Sequence, residues 1–592
     1  MAAGRGPFSW LRRLNAVDLA CYAAFLLLGA WVTAKLWPDP RTRELATNAG
    51  DQTLYEWFLT NDVRLFSGGF SLVSDRLNAP DGVNLMANTS VIALGALFAP
   101  VTATWGAPVT FTVLVGLSLA GTAIGWYLLF SRVLGLGRLA AAIGGGFCGF
   151  APGIVSQANG HLHMSTQWLV PIMVWMVVRL ARAAEPTEDR PRPDRRRIIT
   201  SALGLAAAVT VQVFIGEEVL FFTAVTLGLF SIGYWVQRRQ YVRRILPGFL
   251  LGLGITAVTA GAALAYPLYM QFAGPASVAH TPFNPYRYSA DLASFPALSP
   301  LTLFGSPENA KLTTGSAEYT AFFGWPLLIV ALACAVWLWR SPVVTSALGA
   351  GAVMGAMSLG PQLLWHRKSI GVPGPYHVLM GAPLVEAALP MRFALTMIPL
   401  IALVLALAVA TALRSPRRSV RVLVPAAVLL ALLPAVPAPL PAGVRTAPPQ
   451  FVTAGHWRQC VEPGGVLVPI PPANTYSPWA MRWPAAADVA FAIPQGYFIG
   501  PFGPDGKVVM TPAPRPTAAL LFDVSRTGKA PAVVTAEQRA QATRDLATWK
   551  ASCVALAVNA KNAQALLATA EGLFGPATRV ADAWTWRVGA TR

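Results

Sequence analysis

The stretch "NAGDQTLYEWFL", residues 48–59, places two carboxylates, Asp51 and Glu56, among aromatic residues directly after the first long apolar run. Ionisable groups are expensive in such surroundings and mark sites when they occur. Together they are either a site or the wet rim of a loop. Asp51 could also simply cap an amphipathic interfacial helix, because Leu54, Trp57, Phe58, Val63 and Phe66 follow it. Polar residues collect in four further places. These are "NGHLHMSTQW" with His161 and His163, "GEEVLFF" with Glu217 and Glu218, the pair "HTPFNPYRYSAD" and "TTGSAEYTAFFG" with Tyr319, and "WHRKSIGVPGPYHVLMGAPLVEAALPMRF" with Lys368, His377 and Arg392.

Each of these residue types has a chemical reading and a plainer one. Two histidines at i, i+2 can ligate a metal, but no H-E-x-x-H pattern and no third ligand stands nearby, so no metal site is assigned; a divalent cation as cofactor is left open. Adjacent glutamates must be solvated or partnered, and Arg392 is the right type of partner. Its planar fork also suits a phosphate, with Lys368 or His377 beside it, or it snorkels to the interface. Tyr286, Tyr288, Tyr319 and Trp168 could stack on a sugar ring or form an aromatic belt.

The elements that must position these groups are membrane helices. The chain has 592 residues, 55% of them hydrophobic and 12% charged, with a positive mean hydropathy, a composition that excludes a soluble enzyme. The formal net charge of +19 comes from short basic clusters between apolar runs, such as "DRPRPDRRR" and "LRSPRRSVR", which points to cytoplasmic loops and to no nucleic-acid partner. Apolar runs near 16–36, 108–131, 138–156, 165–182, 198–216, 219–236, 245–270, 319–339, 343–362, 393–413 and 421–440 make about eleven crossings. Arg5, Arg12 and Arg13 put the N-terminus inside, and every later basic cluster then falls on a cytoplasmic turn. "SVIALGALFAPVTATWG" at 90–106 would invert that pattern if it crossed, so it is read as a re-entrant or interfacial helix broken at Pro100.

After residue 440 a Pro/Ala-rich linker leads to strand-like runs, "GVLVPIP", "CVALAV" and "TRVADAWTWRV", alternating with helical ones. This predicts an extracytoplasmic α/β domain, 441–592, following a membrane domain, 1–440, whose outer loops are 37–107, 272–318 and 361–392. Cys460 and Cys553 fall in that outer domain, where they either pair or stay as buried thiols.

A first span, then "GDQ" in an outer loop, then "LNAPDGVNLMANTSVIALGALFAP", then "GGGFCGFAPGIVSQANGHLHMSTQWLVP" resembles the multi-spanning bacterial glycosyltransferases of the GT-C type, actinobacterial ones in particular. The resemblance covers residues 1 to about 440. It implies a mainly α, polytopic transmembrane helical bundle acting at the outer face of the cytoplasmic membrane. It also implies a polyprenyl-phosphate sugar donor, a cell-envelope glycan, lipid or protein acceptor, and Asp51 as general base. Within the remaining polar set, Glu56, His161, His163, Glu217, Glu218, Tyr319, His377 and Arg392 are the expected substrate contacts. A lipid or polysaccharide transporter and a non-catalytic envelope-assembly partner are the competing readings.

Overall fold

The computed structural model describes residues 15–588 apart from Asp189 and residues 383–384, so Arg5, Arg12 and Arg13 lie outside the described residues. The chain is mainly α-helical. Among the described residues, six helices are long and apolar enough to cross a membrane, seven if the bent pair Arg138–Phe150 and Pro152–Ala158 counts as one span. Ala16–Val32, Trp325–Trp337 and Pro342–Ser358 are apolar but shorter. Each of the eleven expected runs carries a helix, while only six or seven meet the length and hydropathy of a full crossing. The difference arises where an apolar run is partly loop. The run 319–339 becomes a helix only from Trp325, because its first residues form a turn.

The chain divides into two compact units. The first comprises residues up to 38, 112–264 and 283–442. Its helices approach closely through small residues. A Cβ at Gly145 would lie 2.7 Å from the Ala123 carbonyl oxygen, and one at Gly149 would lie 2.6 Å from that of Leu119. Glycines four apart thus form the flat face on which the helix Ala107–Leu128 rests. Past Phe150 the helix breaks at Pro152, which lacks the donor to continue it, and restarts at 41°. That second segment ends at Ala158 and delivers His161. At the end bearing the basic clusters, buried Asp18 accepts from Tyr127 Oη at 2.6 Å and pairs with Arg132 at 2.5 Å and Arg138 at 3.3 Å.

The second unit comprises 39–111, 265–282 and 443–592, so the first outer loop and the C-terminal segment fold together. Four strands, β1 (Val466–Pro469), β2 (Ala551–Ala557), β3 (Thr578–Val580) and β4 (Ala583–Arg587), form a sheet in the order β3-β4-β2-β1. β1 runs parallel to β2, and β4 antiparallel to it. The helices Pro516–Thr527, Ala536–Thr548 and Ala563–Phe574 cover the sheet through Leu521, Leu546 and Leu566. Thr535 starts the middle one with a capping box to Gln538. Cys460 and Cys553 are bonded to each other, their Cα atoms 5.5 Å apart.

The loop helix Ala49–Asp62 is buried along almost its whole length, Gln52 to Asp62, rather than lying half in a bilayer as its apolar spacing suggested. It packs on the helix Ile92–Trp105, which at 14 residues spans about 21 Å and runs through Pro100 instead of breaking there. The contact is closest where Asp62 meets Gly95: a Cβ at Gly95 would sit 2.0 Å from Asp62 Oδ2. Both Asp62 carboxylate oxygens lack a hydrogen-bond partner among the described residues. Burial therefore holds this carboxyl well above the ordinary carboxylate range, with the Asn61 side chain opposing the shift. An unfolded Asp ionises near pH ~3.9. The folded group stays protonated to higher pH, so its burial costs nothing below that value and progressively more as the pH rises toward the folded-state pKa. Asp62→Asn should raise the unfolding temperature above wild type at neutral pH and leave it unchanged near pH ~4. Thermal unfolding in detergent at the two pH values measures this, and equal destabilisation at both would refute a buried neutral acid.

Candidate functional site

In the first unit, four chain-distant segments converge on Arg392. The residue sits on the short helix Pro390–Thr396 that opens Met397–Leu413 and is 7% exposed. Its Nε donates to Glu318 at 3.1 Å and 3.3 Å and its Nη2 to the same carboxylate at 2.5 Å, a forked pairing. Nη1 donates to Glu218 at 2.6 Å, in the first turn of Glu217–Gln237. The other Glu218 oxygen accepts the Leu389 N–H at 3.1 Å, fixing the approach to Arg392.

His161 completes this cluster. Gln157 Nε2 donates to the Ala317 carbonyl at 2.8 Å, which turns Gln157 Oε1 toward His161 Nδ1 at 3.0 Å. The same Nδ1 lies 3.2 Å from Arg392 Nη2 and 3.6 Å from Glu318, so the ring's tautomer sets which of these contacts it donates to and which it accepts from. His163 is buried, its ring 5.8 Å from that of His161. The cluster sets one guanidinium against two carboxylates, an arrangement that repels a phosphate. The geometry makes Arg392 a tie between the segments that carry Glu218 and Glu318.

Other expected contacts fall elsewhere. Tyr319 is buried, edge-on to Phe322 at 5.2 Å, and its N–H donates to Ser156 Oγ at 2.8 Å. It positions its neighbour Glu318 and presents no open face to a sugar. His377 and Lys368 are exposed and make no side-chain contact with Arg392. Glu217 is half-buried at the same helix start as Glu218.

In the second unit, Asp51 lies in the first turn of the loop helix, inside it and not at the cap, where the helix dipole favours a carboxylate. Its Oδ1 accepts from Tyr497 Oη and its Oδ2 from Asn48 Nδ2, each at 2.7 Å, and the residue is half-buried. One turn on, Glu56 is buried with both oxygens 2.7 Å from Arg445 Nη1, and Gln52 Nε2 donates to it at 2.8 Å. Arg445 also donates to the carbonyls of Arg41 at 2.8 Å and Pro40 at 2.9 Å. Arg482 ties Glu44 to Thr53 Oγ1, the latter at 2.8 Å. Glu56 is thus held in a buried ion pair, and Asp51 is the more accessible carboxylate of the two.

Glu318, Arg445, Arg482 and Tyr497 were not singled out from the sequence. An arginine outside the cytoplasmic clusters was the signal for Arg392, and it applies equally to Arg445 and Arg482. Among the described residues no group of three or more His, Cys, Asp and Glu is arranged to hold a metal ion.

No family model matches the chain, and no curated protein matches it. Among solved structures it is similar to the Archaeoglobus fulgidus oligosaccharyltransferase in the apo form, at 11% identity and TM-score 0.47, over 95% of this chain and 72% of that one. It is similar to the oligosaccharyltransferase AglB from the same archaeon in complex with an inhibitory peptide and a dolichol-phosphate, at 12% identity and TM-score 0.49, with coverages of 95% and 72%. The complex of the Archaeoglobus fulgidus enzyme with Zn and sulfate gives 12% and 0.46 over 91% and 68%. At such identities every residue's role rests on this chain's own geometry.

Arg392→Ala strands two carboxylates without their cation and should cost roughly 3–5 kcal/mol. Arg392→Lys should recover only part of that, because an ammonium cannot reproduce the fork. Unfolding of the purified variants in detergent tests both, and wild-type stability of Arg392→Ala would mean that the cluster is solvated.

Proposed function

We propose that this chain is a membrane glycosyltransferase of the GT-C type. It moves a sugar from a polyprenyl-phosphate donor to a cell-envelope acceptor at the outer face of the cytoplasmic membrane, with Asp51 as general base. The observation that carries the reading is the Asp51 carboxylate, half-buried and oriented by the Tyr497 hydroxyl and the Asn48 amide. In the transfer, the acceptor oxygen bonds to the anomeric carbon, its proton passes to Asp51, and the bond from that carbon to the lipid phosphate breaks. The motifs around Asp51 and His161 support the reading through their resemblance to such enzymes, and the apolar helices supply surroundings that suit a lipid-borne donor.

A positioned base is worth about 10²–10⁴-fold in rate. Asp51→Asn should lose that factor in sugar transfer from a polyprenyl-phosphate-sugar fraction, at unchanged unfolding temperature. Wild-type turnover in this variant would remove the base assignment. Glu56→Gln, by contrast, should unfold at lower temperature, because it strips Arg445 of its counter-charge.

The same reading places the N-terminus inside and the C-terminal segment outside, with eleven crossings that include the shorter apolar helices. A cysteine at Glu188 should resist an impermeant thiol reagent on intact cells while one at Lys507 reacts. The reverse pattern would overturn this topology.

A further inference from the structure

The second unit contains an open groove of about 730 Å³, within the size range of ligand sites. Two loops, residues 78–84 and 495–503, form its main walls, with Arg515 on a third side. Backbone hydrogen bonds stitch the loops together: the Asn78 N–H donates to the Gln495 carbonyl at 3.1 Å, and the Ala79 N–H to that of Ile493 at 3.0 Å. Asn88 holds Ile499 from both sides, its Nδ2 donating to the Ile499 carbonyl at 2.9 Å and its Oδ1 accepting the Ile499 N–H at 2.8 Å. The walls are therefore preformed.

What the groove offers is a particular mixture. Gln495 is 5% exposed, and its Oε1 has no partner among the described residues. That oxygen is itself sealed from solvent, and the groove's accessible polar groups come from other residues. Asp81 adds an exposed carboxylate, Arg515 an accessible guanidinium, and Phe502 a ring 42% exposed. A sugar hydroxyl both donates and accepts, and a pyranose face is apolar, so acceptors, a donor and a ring in one groove match a saccharide. Asp81 disfavours a phosphate, and the exposed charges of Asp81 and Arg515 within a half-apolar lining disfavour a lipid tail.

The groove is also continuous in sequence with the base. Tyr497, which donates to Asp51, lies between the groove residues Gln495 and Phe498. We propose that this groove binds the acceptor, and that the acceptor is a saccharide chain, an inference that rests on the transfer reaction assigned to Asp51. One wall segment then grips the glycan and orients the carboxylate that deprotonates its terminal hydroxyl.

Photo-crosslinking tests this in the full-length Asp51→Asn chain in its native envelope membranes, with p-benzoylphenylalanine placed at Phe502. Mass spectrometry should find saccharide adducts at this position in clear excess over the same probe at Val533, an exposed position outside the groove. Peptide or lipid adducts, or no excess over Val533, would overturn the proposal. In otherwise wild-type protein, Phe502→Ala and Arg515→Ala should each raise KM for the acceptor about tenfold, the loss of one stacking or charged contact, with KM for the donor unchanged. Unchanged acceptor KM in both would equally overturn it. The two readings fail separately. Saccharide capture with full transfer by Asp51→Asn sinks the base and keeps the groove, whereas Asp51-dependent transfer without saccharide capture sinks the groove alone.

Discussion

Charge inside a protein must be met by charge, because a buried ion left alone costs several kcal/mol while a well-matched pair roughly breaks even. Both units are organised by that constraint. Glu56 and Arg445 are each 3% exposed in their side chains and separated by 389 residues of sequence, so the loop helix can be buried only if the segment after residue 442 arrives to neutralise it. Arg482 with Glu44 and Thr53 repeats the arrangement on the same helix. In the other unit Arg392, Glu218 and Glu318 bring together the starts of two membrane helices and an outer loop. Asp62, which finds no cation, is the exception, and it meets the constraint by staying protonated.

The constraint also separates residues that hold the fold from those free to react. Glutamates and arginines at outer helix ends all look chemical when only residue type and position are known. Full pairing assigns Glu56, Glu318 and Arg392 to architecture. Asp51 is less enclosed: a phenol and an amide donate to it, and it is half-buried where Glu56 is sealed.

How much of this is legible in the sequence depends on range. Helices, the strands at 466–469, 551–557 and 583–587, and the convergence of His161, Glu218 and Arg392 follow from hydropathy, alternation and the side on which polar residues fall. The burial of the helix Ala49–Asp62 does not, since apolar spacing reports one face and says nothing of what Arg445 and Arg482 will place over the others. Arg445 sits in a stretch that reads as a Pro/Ala-rich linker, where a single arginine carries no periodicity. Glu318 is hard to single out beside Tyr319, because an aromatic in a polar outer segment is a stronger local cue than one carboxylate. The helix Pro516–Thr527 went unread because its proline, which suits a first helical turn, also reads as a turn.

The hydrogen bond between Tyr497 and Asp51 joins positions 446 residues apart. During synthesis the loop with the acid emerges early, while the phenol and Arg445 emerge only in the last third of the chain. The Asp51 carboxylate is therefore without these partners while most of the apolar helices are being made. A nascent or prematurely terminated chain carries the acid but not its setting, so that setting is acquired last, once the final segment has folded.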